Sequence, residues 1–269
     1  MTPLSIETIH HNLSTQIFGQ RVHYFPQLDS TNTHLKQLAD IGEAEGTLCI
    51  TDDQVAGRGR FDRRWHVPAQ SSLTMSLLFQ PTFLEPPYLQ QLTMICALAA
   101  SDAVYQQTGF QLDLKWPNDL VYAHKKVAGV LTEASFAGST LGWAIVGVGL
   151  NVNIDRDFFT QHHTPEGQPL AETATSLQII AGDLVDRIAL LQAYLAFVEQ
   201  RYMALQQGDS PYQTWLDRLI QIGKTVTVIE GNTSYTGFVK TAHPTGMLEI
   251  QRPNGSTKQV SAGEVSLRA

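Results

Sequence analysis

Two arginines set between single glycines, Gly57-Arg58-Gly59-Arg60, offer the clearest chemistry in this chain. Glycine lets the backbone come close to a ligand, and a guanidinium presents a fixed fork of donors that fits carboxylate or phosphate oxygens. With Arg63, Arg64 and Trp65 close behind, the stretch is either a loop that closes over an anion or a solvated arginine–glycine loop. A second cluster, Lys115-Trp116-Pro117-Asn118-Asp119 followed by Lys126-Val127-Ala128-Gly129, shifts the balance toward the anion. Its first part comes at the end of a strand-like run, where ligand-facing loops usually lie. Trp116 fits core packing and stacking on a base equally well. Asn118 and Asp119 fit a plain turn, or an amide and a carboxylate near a metal–phosphate group. Lys126 stands beside the small residues Ala128 and Gly129, over which a backbone passes close to a substrate; the other reading is an exposed hairpin lysine like Lys125.

Several other chemistries are ruled out by motif. There is no GxxxxGK[ST] loop, and neither Gly57-x-Gly59 nor Gly147-x-Gly149 continues to a third glycine at dinucleotide spacing. GxSxG and HExxH are both missing. The doublets His10-His11 and His162-His163 have no Cys or His partners at ligand spacing and read as solvated side chains, so no fixed protein metal site is expected.

Composition bounds the rest. A chain of 269 residues, 43% hydrophobic and 16% charged, can bury a core and hold one large domain plus a small one. A net charge of -7 argues against a chain whose task is coating nucleic acid, so the arginines form a local site. Cys49 and Cys96 sit in apolar runs and read as small buried hydrophobes. No run is long enough to span a bilayer, and the amino-terminal stretch lacks a secretory signal's basic and apolar segments. A soluble, cytoplasmic setting without a membrane partner is the expectation.

The elements that must position these residues follow from periodicity. Ile6, Ile9 and Leu13 at helical spacing predict a short helix between Leu4 and Phe18, and Val22 to Phe25 a first strand. Leu28-Asp29-Ser30-Thr31-Asn32 offers caps for a helix through Leu35 and Leu38 that ends near Gly42. Gly46 to Thr51 reads as a strand, Gln54 to Trp65 as a loop, and Ser72 to Phe79 as a half-buried strand. A helix is expected from about Pro87 to Thr108, ended by Gly109. Strands at Leu112–Lys115, Leu120–Tyr122, Lys126–Ser135 and Trp143–Val148 follow, joined too closely for anything but antiparallel neighbours. Residues 154–172 read as a polar loop, Asp183 as the start of a long helix, and Tyr212 to Leu219 as a shorter one. Past Gly223, β-rich runs broken by Gly231-Asn232, Thr245-Gly246 and Asn254-Gly255 predict a compact barrel or sandwich. The expected fold is α+β, a mixed and largely antiparallel sheet with flanking helices, divided at 1–219 and 220–269.

At this point the chain closely resembles the biotin protein ligases, from about Val22 to the carboxyl terminus. The marks are Ser30-Thr31-Asn32, Gln54-x-Ala56-Gly57-Arg58-Gly59-Arg60, Arg63-x-Trp65, Lys115-Trp116-Pro117-Asn118-Asp119, Lys126-x-Ala128-Gly129, Gly147-x-Gly149-x-Asn151 and the terminal Gly263-Glu264-Val265-Ser266-Leu267-Arg268. The resemblance implies a class II synthetase-like catalytic domain and a small SH3-like carboxyl-terminal barrel. It also implies the monofunctional type, without a DNA-binding domain or a nucleic-acid partner. ATP and biotin are the implied substrates, with Mg²⁺ accompanying the triphosphate, and a carboxylase's biotin carboxyl carrier domain is the implied partner. Dimerisation is frequent in the family, and no residue here fixes an interface.

Site residues carried over by the resemblance divide by ligand. Ser30, Thr31, Asn32, Gln54, Gly57, Arg58, Gly59, Arg60, Lys126 and Gly129 are implied for biotin. Arg58, Arg60, Arg63, Trp65, Lys115, Asn118 and Asn151 are implied for ATP or the adenylate. Ser30, Thr31 and Gln54 would hydrogen-bond the ureido head, while Arg58 and Arg60 would lie over carboxylate and phosphates. Lys126 would bridge the carboxylate and the α-phosphate. Lys126, Arg60 and Asp119 are the implied catalytic set, with Asp119 the candidate base for the acceptor lysine. A lipoate-type ligase and a noncatalytic biotin- or nucleotide-binding module are the competing readings.

Overall fold

The computed structural model describes residues 3–60, 64–165, 167–230, 233–261 and 265–268. Arg63, the Gly231-Asn232 turn and Gly263-Glu264 lie outside the described residues. The larger sheet is built from β1 (Val22–Phe25), β2 (Leu48–Thr51), β3 (Ser72–Phe79), β4 (Asp113–Lys115), β5 (Asp119–Tyr122), β6 (Lys125–Ala137) and β7 (Thr140–Asn151). Its order is β1-β2-β3-β7-β6-β5-β4; β1 and β2 are parallel, and the other neighbouring pairs antiparallel. The antiparallel pairing of β4, β5, β6 and β7 is what their short connections predicted.

The two faces of this sheet differ in side-chain size, and that difference makes the site. Side chains alternate along a strand. Leu48, Ile50, Leu73, Met75, Leu77, Val130, Val146, Val148 and Leu150 point into the main core with α3 (Gln90–Thr108) and α7 (Arg187–Gln206). The opposite face carries Cys49, Leu78, Trp143 and Ile145 against α2 (Thr31–Asp40) at one end. At the other end of that face stand Thr74, Ser76, Gly147 and Gly149, too small to fill the space. β3 is buried at all eight positions rather than half-buried as its alternation predicted, because it lies at the centre with helices over both faces.

Other differences have local causes. The first helix, α1 (Ile6–His10), is one turn and a half, closed by a Ser5–Thr8 capping box, and Asn12 at φ +64° turns the chain before Leu13 can join it. The segment read as a loop contains α4 (Arg156–Gln161), capped by Asp155 and anchored by buried Phe159, and α5 (Leu170–Thr173). These helices are too short for a periodicity to declare itself. The long helix begins at Arg187, not Asp183. Asp186 accepts from the Ile188 and Ala189 amides, and the preceding helix α6 (Leu177–Ala181) ends at left-handed Gly182, leaving Leu184 exposed. A further helix, α8 (Tyr212–Asp217), precedes the carboxyl-terminal strands.

Those strands, β8 (Thr225–Glu230), β9 (Thr233–Ala242), β10 (Leu248–Gln251), β11 (Thr257–Val260) and β12 (Val265–Arg268), pair antiparallel in the order β11-β10-β9-β8-β12. Among the described residues the two edges, β11 and β12, do not pair, so this small five-stranded antiparallel module, where a compact barrel or sandwich was expected, is not a closed barrel. It leans on the larger sheet through Trp116, whose indole N–H donates to the Gly246 carbonyl at 2.9 Å. Gln221 brackets the same residue, accepting from its amide and donating to its carbonyl. Among the described residues no helix is long and apolar enough to cross a membrane.

Candidate functional site

β7 supplies the floor. Gly147, Gly149 and Asn151 are alternate residues, so all three face the α2 side, opposite Ser76, Thr74 and Ser72 of β3 and, for the two glycines, Leu131 and Gly129 of β6. Each glycine clears space for a particular side chain. A methyl on Gly147 would come within 2.2 Å of Asn32 Oδ1, and one on Gly149 within 2.4 Å of the Trp65 ring. The result is a cleft of about 270 Å³, roofed by the arginine–glycine loop.

One end is polar and buried. Ser30 caps α2, accepting from the Thr33 amide at 3.4 Å, and Ser30, Thr31 and Asn32 are each at most 5% exposed. The Gln54 carbonyl oxygen accepts from the Thr31 amide at 2.9 Å and from its hydroxyl at 3.3 Å. Ser76 on the floor lies within 2.7 Å of Thr31 Oγ1 and 2.6 Å of Asn32 Oδ1. Asn32 in turn donates to Glu133 Oε2 at 2.8 Å. These groups form a patch of amides and hydroxyls suited to a flat, neutral head with both donors and acceptors.

The two described arms of the roof lie side by side. The Trp65 amide donates to the Gly57 carbonyl at 2.9 Å, and Arg58 pairs antiparallel with Arg64. Gly57 is required here, since a methyl would meet Gln54 Nε2 and the Trp65 carbonyl oxygen at 2.4 Å each. Arg58 donates to Thr33 Oγ1 at 2.8 Å and stands 3.9 Å from Glu133 Oε1, so its side chain serves the head end in this state. Arg60 and Arg64 line the cleft.

The other end is charged. Lys126 Nζ sits 2.5 Å from Asp119 Oδ1 and 5.6 Å above the centroid of the Trp65 ring, placing a cation, a carboxylate and an aromatic face in one corner. Gly129 keeps the corner open, because a methyl there would lie 3.0 Å from Lys126 Nζ. Asn118 clamps Val130, donating its side-chain amide to that residue's carbonyl at 2.5 Å while its own carbonyl accepts from the Val130 amide. Lys115 lines this end. Asn151, 4% exposed, donates to the Thr175 carbonyl at 3.0 Å but leaves Oδ1 without a partner, as Trp65 does with its indole N–H. A buried acceptor and a buried donor are thus left for a ligand's heteroatoms.

The fold therefore brings together Ser30, Thr31, Asn32, Gln54, Arg58, Gly59, Arg60, Trp65, Lys115, Asn118, Asp119, Lys126 and Gly129 around one cavity. Gly57 and Asn151 do not line the cavity: Gly57 packs against Gln54 and Trp65, and Asn151 follows Gly149 by two positions on the same face of β7. Arg63 lies outside the described residues. Trp116, left between packing and stacking, is 3% exposed and hydrogen-bonded to the small sheet, and it lends only an edge to the cleft. His162 stays exposed and stacks on Phe158 at 4.2 Å. Sequence reasoning missed Thr33, Ser76, Glu133 and the clearance made by Gly147. The alternate glycines inside a strand were the available signal, since glycine there marks close approach of another group.

The chain also matches known proteins. Residues 24–151 match the biotin/lipoate A/B protein ligase family, and residues 221–268 the biotin protein ligase C terminal domain. The bifunctional ligase/repressor BirA of Bacillus subtilis is 32% identical over 261 residues, covering 96% of this chain and 78% of that protein. The biotin–[acetyl-CoA-carboxylase] ligase of Paracoccus denitrificans is 30% identical over 241 residues, covering 88% and 96%. A solved structure of biotin protein ligase from Aquifex aeolicus in complex with biotin and ATP superposes with a TM-score of 0.73 at 29% identity, covering 93% of this chain and 99% of that one.

Proposed function

This chain belongs to the biotin protein ligase family, and from that premise we propose that its cleft joins biotin to AMP and passes the acyl group to a lysine of a carboxylase's carrier domain. The observation that carries the reading is the division of one cavity into a buried amide-and-hydroxyl end and a lysine–carboxylate–tryptophan corner. A ureido head is neutral, flat and rich in donors and acceptors, so it suits Ser30, Thr31 and Gln54; its carboxylate then points to Lys126.

In the first half-reaction a carboxylate oxygen of biotin attacks the α-phosphorus of ATP. The bond to the bridging oxygen breaks, and pyrophosphate leaves. Both reactants are anionic, and Lys126 offsets that repulsion from a position Asp119 fixes in advance. Arg60 and Arg64 on the roof supply further donors for phosphate oxygens. Adenine is assigned to the Gly149 side, where the Trp65 indole and Asn151 Oδ1 have unused hydrogen-bonding capacity. Mg²⁺ is assigned to the triphosphate as part of that substrate; among the described residues no group of three His, Cys, Asp or Glu side chains could hold one.

In the second half-reaction the acceptor lysine's amine attacks the anhydride carbonyl, AMP leaves, and the nitrogen loses its proton. A free lysine has a pKa of about 10.4, so a nearby carboxylate helps at neutral pH. Asp119 is the candidate, freed from Lys126 once the phosphate takes that cation. We keep residues 1–219 as the catalytic domain and 220–269 as an SH3-like accessory domain.

The deciding experiment is a mass spectrum of a purified carrier domain after incubation with this protein, biotin and MgATP. A gain of one biotinyl group on one lysine is expected; an unmodified carrier, or modification with lipoate in place of biotin, removes the reading.

A further inference from the structure

A string of side chains runs beneath the head end of the cleft and surfaces at a carboxylate outside the binding set. Glu133 lies on β6, facing the same side as Gly129 and Leu131, four positions beyond Gly129 and so about 13 Å from the charged corner. One of its oxygens accepts from Asn32 Nδ2 at 2.8 Å, and the other stands 3.9 Å from the Arg58 guanidinium. Asn32 Oδ1 lies 2.6 Å from the Ser76 hydroxyl, which is also 2.7 Å from Thr31 Oγ1. Thr31 reaches Gln54.

The order of donors along this string is undetermined at one place. Ser76 has a single proton and two acceptors in range, Asn32 Oδ1 and Thr31 Oγ1. Which one receives it depends on which end of the Asn32 amide faces the serine. The Glu133 carboxylate at 2.8 Å and the Leu131 carbonyl at 3.3 Å only accept, so both draw the amide's NH₂, the carboxylate with the shorter, charged bond, and its oxygen is turned toward Ser76. Gly147 makes room for the Asn32 amide, since a methyl there would lie 2.2 Å from Oδ1. The same carboxylate offers Arg58 a counter-charge, holding the roof arginine beside Thr33.

We propose that Glu133 is a positioning residue that fixes the hydrogen-bond polarity of the head pocket, acting through Asn32 and Ser76 on Thr31 and through Arg58 on the roof, before ligand arrives. The proposal rests on the ligase reading above and adds to it a determinant of which head group the pocket accepts. Because Glu133 touches the head end alone, its loss bears on biotin and not on ATP or the chemical step.

The test is Glu133→Gln in the full chain, which keeps the side chain's shape but lets an NH₂ compete for the Asn32 side. Biotin-dependent ATP–pyrophosphate exchange should show a biotin KM raised about tenfold, the effect of losing one charged hydrogen bond. The ATP KM and the kcat at saturating biotin should stay within about twofold, and the melting temperature of the ligand-free protein should not move. The second variant, Asn32→Asp combined with Glu133→Gln, exchanges donor and acceptor across the pair and should recover biotin affinity lost in Asn32→Asp alone. An unchanged biotin KM in Glu133→Gln, or rises in biotin and ATP KM together, overturns the inference, as does a double variant no better than Asn32→Asp. A wild-type chain without biotin-dependent exchange overturns the ligase reading itself, and this inference with it.

Discussion

In the proposed reaction Lys126 meets two anions, and Asp119 at 2.5 Å holds it in place before either arrives. Lys126→Ala is expected to lower pyrophosphate exchange about 10²–10³-fold, as removal of a preorganised electrostatic donor does elsewhere, with the biotin KM changing far less. Residual exchange near the wild-type rate would remove Lys126 from the chemistry. Glycine acts here by absence. Gly149→Ala puts a methyl 2.4 Å from the Trp65 ring, so the indole must leave its seat and the roof with it. The expected result is an ATP KM raised at least tenfold, with about 1–3 kcal/mol of stability lost to overpacking, read from urea unfolding. Most of these residue types were legible in the sequence because glycines, arginines and a lysine at fixed spacing constrain chemistry strongly. Glu133 was not legible, since one glutamate in a strand of mixed residues has no pattern around it.

Elements place those residues through contacts that cross long stretches of chain. Arg187, at the start of α7, donates to Asp52 Oδ1 at 2.9 Å and to the Ser72 carbonyl at 3.2 Å, tying the ends of β2 and β3 together just before Gln54. Both charged side chains are 5% exposed. Arg187→Met strands the Asp52 carboxylate and should cost about 3–5 kcal/mol in chemical denaturation, more than the loss of an exposed pair. A weaker tie lies at the sheet edge, where Glu43 meets the Ala44 amide first, then Arg21 beside β1 and His23 on it. The Ala44 hydrogen bond holds its carboxyl below the usual 4.5, burial opposes this, and the Arg21 and His23 contacts lower it further. Its contribution is therefore full above pH 4.5 and is lost as pH falls through the lowered value. Glu43→Gln should flatten the acid limb of a melting-temperature profile and leave the profile near neutrality with the same slope. The helix caps were readable from Ser30 and Asp186; α4 and α5 were hidden because one or two turns give no period.

At the scale of the molecule, the small sheet is bonded to the loop that carries Asn118 and Asp119. Gln221 holds the Trp116 backbone at both its amide and its carbonyl, and Trp116 reaches Gly246. Gln221→Ala leaves two buried backbone groups without partners, at about 1–3 kcal/mol each. It should also raise the ATP KM by loosening the Trp116–Asp119 turn, measured beside a biotin KM that stays near wild type. Equal changes in both constants would mean that Gln221 contributes to stability alone.

The ordered motifs, the alternation of strand residues and the closely spaced strands determined by themselves an α+β sheet, its ligand-facing loops and most of the residues around the cleft. Those signals are local, since each depends on neighbours a few positions apart. The seven-strand order, the burial of β3 on both faces and the meeting of Lys126 with Trp65 were decided only in three dimensions. So was the string from Gln54 to Glu133, which joins residues 79 positions apart in the chain. Such contacts arise when helices cover both sheet faces and close packing admits one arrangement of side chains, and no spacing along the chain encodes them.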